Sequence, residues 1–180
     1  MKKLLFILLL MSFIMAGCGT TPRSERKRAE LDAEVNEAIA VFKARIPGIE
    51  MYFDDSIGYA VLPSITKGAF WVGGAWGRGQ VFREGTMIGY TSMTQGTLGF
   101  SFGGQFFREI IFFQNDDALN RFKEDFVFTA EASAVAARAG AITKTDYRAG
   151  MAAFIITDGG LMIDASLGGQ KFNFSPVDAW

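Results

Sequence analysis

The sequence predicts an α+β fold: a curved, mostly antiparallel β-sheet with an N-terminal amphipathic helix and a short helix near residues 115–124. Three observations carry this. The stretch Gly58–Phe82, GYAVLPSITKGAFWVGGAWGRGQVF, is rich in β-branched and aromatic residues, which favour a pleated backbone. It also holds Gly68, Gly73, Gly74, Gly77 and Gly79, too many for a helix interior. Two later segments, GFSFGGQFF at 99–107 and SLGGQKFNF at 166–174, repeat its Gly-Gly-aromatic texture. Finally, Leu31, Val35, Ala38, Ile39, Phe42 and Ile46 recur at helical spacing and give one apolar stripe. Glycines inside strands mark bulges, bends or close backbone approach. The sheet is therefore expected to curve, with closure toward a barrel left open.

Taken in order, Met1–Gly17 has the anatomy of a secretory signal, with Lys2-Lys3, an apolar run from Leu4 to Met15 and then small residues. The run falls short of the roughly 20 apolar residues of a membrane-spanning helix. Met15-Ala16-Gly17-Cys18 resembles the bacterial lipobox, in which the cysteine is acylated and the leader removed; Met stands where Leu is usual. Cys18 is therefore the expected lipidation site, and several acyl chains anchor stably where one is marginal. Gly19 after the cysteine resembles lipoproteins sorted to the outer membrane of Gram-negative cells, which implies, for a Gram-negative host, an envelope domain anchored at the outer membrane and facing the periplasm.

Residues 18–28 read as a lipidated N-terminus and tether, and 29–180 as the domain. Arg23, Arg26, Lys27 and Arg28 form a basic cluster beside the anchor, each residue able to contribute about 1 kcal/mol near an anionic surface. Basic residues oppose the dipole at a helix start, so the helix is predicted to begin near Ala29 or Glu30, and Pro47-Gly48 to end it. Its balanced charges favour docking on the domain's own sheet over insertion into a membrane. Glu50–Ser56 predicts a further turn or two of helix around Met51, Tyr52 and Phe53.

Within the sheet, Tyr59–Leu62 is predicted as a short strand stopped by Pro63, Gly68–Gly74 as a second, and Trp76-Gly77-Arg78-Gly79 as a hairpin turn into a third. Met87–Thr94 and Thr97–Phe107 follow, with Glu109–Phe113 too apolar for one exposed face. Asn115-Asp116 caps a helix with Ala118, Leu119 and Phe122 on its buried side. Residues 126–139 mix alanines, which favour helix, with a Phe126-Phe128 alternation; strand is the reading chosen. Met151–Thr157, an Asp158-Gly159-Gly160 turn and Leu161–Ser166 predict a hairpin, and Gly168–Phe174 a last strand before Pro176.

Across about residues 30–176 the chain resembles the SYLF domain, a family of lipid-binding domains found in bacterial envelope lipoproteins and eukaryotic membrane-traffic proteins. The resemblance rests on the 58–82 stretch, IGYTSMTQGTLGFSFGGQFFREIIFF, the ALNRF helix and GGLMIDASLGGQKFNF in that order. It implies a lipid-binding domain, with an anionic phospholipid as the expected ligand, and marks Lys67, in the Pro-Ser-x-x-Lys-Gly step, as a recurring lysine. The residues add their own argument: Trp prefers membrane interfaces and Arg pairs with phosphate bidentately, so Trp76 and Arg78 are the expected contacts. Arg26, Lys27 and Arg28 join them from the basic cluster.

Composition restricts the alternatives. Eighteen basic against nineteen acidic residues leave no electrostatic footprint for nucleic acid. The absence of histidine removes the usual general base and the commonest metal ligand. A single cysteine excludes an intrachain disulfide and any multi-cysteine zinc site. No metal or cofactor is expected, since Asp54-Asp55 and Asp116-Asp117 lack the spacing of a calcium loop. Glu84, Glu109, Glu131, Asp158 and Asp164 could supply paired carboxylates, but none lies in a hydrolase motif, so no enzymatic activity is expected. The alternative is a non-catalytic adaptor that binds another envelope protein. An outer-membrane barrel is disfavoured, because Pro176 and Asp178 interrupt the final alternation and a lipobox is the wrong leader.

Overall fold

A computed structural model describes residues 20–124, 127–129, 134–136, 147 and 149–177, with backbone alone for 69–73, 97–103, 127–129, 134–136 and 159–168. Cys18 and most of the 126–139 segment lie outside the described residues. The elements are α1 (Glu25–Arg45), α2 (Glu50–Asp55), β1 (Gly58–Arg83), β2 (Thr86–Phe113), α3 (Asp116–Lys123), β3 (Val127–Thr129), β4 (Ala134–Ala136) and β5 (Met151–Pro176). The strands form one five-stranded sheet in the order β1-β2-β5-β3, with β4 pairing β5 as well. All pairings are antiparallel except that of β4 with β5. The α+β class and the curved sheet are as the sequence predicts, and the sheet does not close into a barrel among the described residues.

The strands are far longer than their sequence punctuation suggests, and three predicted breaks fall inside them. Pro63 does not stop a strand: it sits in a register shift between Leu62 and Ile65, a bulge where its missing N–H costs no ladder bond. Trp76–Gly79 is not a turn either. Trp76 pairs with Thr94 and Arg78 with Ser92, and the hairpin turn falls at Glu84 and Gly85, both at positive φ (49° and 76°). Likewise Asp158-Gly159-Gly160 continues β5; Phe106 pairs with Gly159 and Phe107 with Thr157, so Asp158 is the extra residue of a bulge.

The glycines of β1 explain how so long a ribbon makes a compact core. The first half of β1 comes back against its second half. A Cβ on Gly79 would lie 2.0 Å from the Val61 carbonyl oxygen, one on Gly58 2.3 Å from that of Phe82, and one on Gly77 2.6 Å from Ile65 Cγ1. Glu84 N–H also donates to the Ile57 carbonyl at 3.0 Å. Within β1 close approach is thus concentrated at Gly58, Gly77 and Gly79, with Gly89 of β2 equally tight against Phe174 and Ser175 of β5, whereas Gly74 and Gly104 of the Gly-Gly pairs meet only ordinary contacts.

Folding back encloses the first core cluster. Ala60, Leu62 and Ile65 from the first half of β1 share it with Ala75 and Val81 from the second, together with Met93, Ile111, Phe113 and Phe172. Helix α3 plugs this space through Ala118, Leu119 and Phe122. The Phe122 ring lies 4.9 Å from Phe113 and 5.2 Å from Phe172, so one side chain bridges both halves of the sheet. Asn115 caps α3 as predicted, its Oδ1 accepting from Ala118 N–H at 3.0 Å.

A second cluster lies beneath α1, which docks on the domain as predicted. Leu31, Val35, Ala38 and Phe42 pack against Val61, Ile110, Phe112 and Phe154, with Tyr52 of α2 alongside. The helix starts earlier than predicted, at Glu25. Ser24 is its N-cap, its hydroxyl accepting from Lys27 N–H at 3.4 Å, and Glu25 supplies the acidic first-turn residue that offsets the basic cluster.

Candidate functional site

The early start of α1 decides where the basic cluster goes. Thr20 and Thr21 are tied down on the sheet, Thr20 to Ser92 and Thr21 to Ser175, each at 3.0 Å between hydroxyl oxygens, and Pro22 is buried. The 18–28 tether is therefore structured from residue 20 onward. The chain then enters α1, whose Lys27, Leu31 and Glu34 fall one and two turns apart on one side.

That side of α1 faces the outer face of β1 across a groove of about 320 Å³. Pro22, Lys27, Glu30, Leu31 and Glu34 line one wall; Ser64, Thr66, Trp76 and Arg78 line the other. Alternation puts Trp76 and Arg78 on the same face of β1. The Arg78 guanidinium carbon lies 4.9 Å from the Trp76 ring centroid, a cation–π contact that fixes both side chains. Arg78 Nε is buried with no hydrogen-bond partner among the described residues. Such a donor costs free energy until an acceptor reaches it. The helix is held beside the groove by Gln80, whose amide donates to Asp32.

The structure brings together three of the predicted site residues and separates the others. Lys27, Trp76 and Arg78 share the groove. Arg26 points outward, 3.6 Å from Glu30 one turn on. Arg28 Nε donates to the Pro22 carbonyl at 3.3 Å and so braces the tether. Lys67 is buried on β1, engaged within the protein and outside the groove. The carboxylates of Glu30 and Glu34 and the hydroxyls of Ser64 and Thr66 were not singled out by sequence reasoning. Helical spacing from Lys27 would have found the two glutamates. Ser64 and Thr66 depend on a bulge and a fold-back that no local pattern records.

Two further side chains stand out. Phe106 pairs with Thr66, so it shares that face, and it is 50% exposed. Inside the sheet, Glu109 of β2 is fully buried and accepts from Gln170 of β5 at 3.3 Å, while its other oxygen has no partner among the described residues. Burial, partly opposed by that hydrogen bond, raises its pKa to about 8. Glu109 is therefore a neutral acid in the core at pH 7, with no nucleophile or second carboxylate hydrogen-bonded to it among the described residues. No cluster of metal-ligating side chains occurs among the described residues, nor any helix long and apolar enough to cross a membrane.

Comparison with known proteins adds one relative. The chain is similar to Beta cell expansion factor A of Aeromonas veronii. The two are 30% identical over 128 residues, 70% of this chain and 49% of the relative. The chain thus spans about half the length of the curated relative it matches. No protein-family model matches the chain.

Proposed function

We propose that this protein is an envelope lipoprotein, anchored through Cys18, whose SYLF-like domain binds phospholipid headgroups in the groove between α1 and β1. The observation that carries the reading is the convergence of Lys27, Trp76 and Arg78 on one groove whose wall includes Pro22. Three residues separate Pro22 from Cys18, and the four steps between them reach at most about 14 Å. An acyl chain on Cys18 would therefore hold the groove at the bilayer surface. The pinned threonines shorten the slack further.

Each part of the groove suits that surface. Arg78 offers a fork of donors to a phosphate, including the buried Nε that lacks an acceptor. Trp76, Leu31 and Pro22 give an apolar wall for the glycerol region, and Phe106 adds an exposed ring on the same face. Arg23, Arg26 and Lys27 lie on the exposed first turn and its approach, where an anionic surface attracts them. The domain is non-catalytic in this reading.

Vesicle flotation tests it. Both core clusters are built from residues 31–174, so a chain starting at Gly19 retains the whole described fold without leader or acyl anchor. It should float with phospholipid vesicles at low salt and less at moderate salt, as screening shortens the field of the basic turn. No flotation of a folded protein under any lipid composition would overturn the proposal and favour the adaptor alternative.

A further inference from the structure

Four charged side chains line the groove, and their signs cancel: Lys27 and Arg78 are cationic, Glu30 and Glu34 anionic. A site selected for a purely anionic headgroup gains nothing from two carboxylates, which repel phosphate and raise the cost of bringing it in. The same two carboxylates are complementary to a ligand that carries a positive group beside its phosphate. Arg26 engages Glu30 only from the exposed side at 3.6 Å, and such surface pairs are weak and exchangeable.

The chemistry of the acceptors narrows the positive group. Glu30, Glu34, Ser64 and Thr66 all present oxygen acceptors, which reward N–H donors. A quaternary ammonium has none and is instead recognised by several aromatic faces. Among the described lining residues Trp76 is the single aromatic, and Arg78 already lies over its ring. A primary ammonium, with three donors, fits; a trimethylated one does not.

We infer that the groove selects a zwitterionic headgroup of the phosphoethanolamine class, with its phosphate on Arg78 and Lys27 and its primary ammonium on Glu30 and Glu34. This rests on the lipid-binding reading and refines it. The anionic surface attracts the exposed basic turn, while the groove itself takes the zwitterion.

Native mass spectrometry of the full acylated chain in detergent tests the selection. Phosphatidylethanolamine, phosphatidylcholine and phosphatidylglycerol with identical acyl chains are added in competition. The expected result is phosphatidylethanolamine bound roughly fivefold or more over each of the others, the scale of one or two exposed charge contacts. In the exposed Glu30→Gln/Glu34→Gln double variant, folded like the unsubstituted chain by circular dichroism, the preference over phosphatidylglycerol should vanish or reverse. Soluble phosphoethanolamine should compete at high concentration, but a bound lipid should not be replaced by it at equal concentration, since the apolar wall needs the glycerol backbone. Equal or stronger binding of phosphatidylglycerol by the unsubstituted chain would overturn the inference and leave the lipid-binding reading intact. Selectivity unchanged in the double variant would overturn it too. No lipid bound at all would overturn both.

Discussion

Folding should take up a proton at Glu109, and the effect on stability should be large. Its carboxyl titrates near 4.5 when solvated and at about 8 in the folded protein, where it is fully buried. A raised folded-state pKa contributes stability that is fully present below pH 4.5 and is lost as pH rises through 8. In that window unfolding free energy should fall by about 1.4 kcal/mol per pH unit, the linkage slope for one proton. The whole interval corresponds to roughly 5 kcal/mol, and only about 1.4 kcal/mol of it remains at pH 7. Gln at this position is nearly isosteric with the protonated acid. Its carbonyl still accepts from Gln170, and nothing titrates.

The assay is urea denaturation of the chain from Gly19 at half-unit steps from pH 5 to 9, for the wild type and Glu109→Gln. Taking the difference between the two removes every other titrating group. The substituted protein should lose the slope and gain relative stability as pH rises, levelling off above pH 8. Parallel profiles would show that Glu109 is not a buried neutral acid. They would also contradict the full burial of its carboxyl, since the Gln170 bond taken alone lowers the pKa.

Gly79→Ala should destabilise by about 1–3 kcal/mol, because its new methyl meets the Val61 backbone rather than a side chain that could move. Gly96→Ala, with nothing within 4 Å, should be neutral or slightly stabilising, and equal midpoints in denaturant for the two variants would contradict the fold-back of β1. Intact mass measurement of the protein from native membranes should find an acylated N-terminal Cys18; a retained Met1 with a free thiol would end the lipoprotein reading.

The sequence read well wherever a local pattern had a local cause. The apolar stripe of α1, the Asn115 cap of α3 and the doubly buried run at 109–113 all match the structure. It read poorly where punctuation had a tertiary cause. Pro63, Trp76–Gly79 and Asp158–Gly160 look like turns, yet they lie within continuous strands. Their glycines and proline serve bulges and the contact between the halves of β1, and that contact joins residues 18 apart in sequence, such as Val61 and Gly79. The same distance effect hid half of the groove. Trp76 and Arg78 stood out by residue type, but the helix wall that faces them followed only once α1 was seen to begin at Glu25 rather than near Ala29. Glu109 lay within the run read as buried, but its bond to Gln170 left no local signal, since it joins residues 61 apart in sequence.

Whether the groove meets lipid is tested most directly by the fluorescence of Trp76 itself. In the chain from Gly19 carrying Trp71→Phe and Trp180→Phe, Trp76 is the sole tryptophan. Vesicles containing lipids brominated near the top of the acyl chain should quench its emission and shift it to the blue, and Arg78→Ala should weaken both effects while leaving the fold intact. A folded protein that floats with the vesicles while its Trp76 emission stays unquenched and unshifted would place lipid binding somewhere other than this groove.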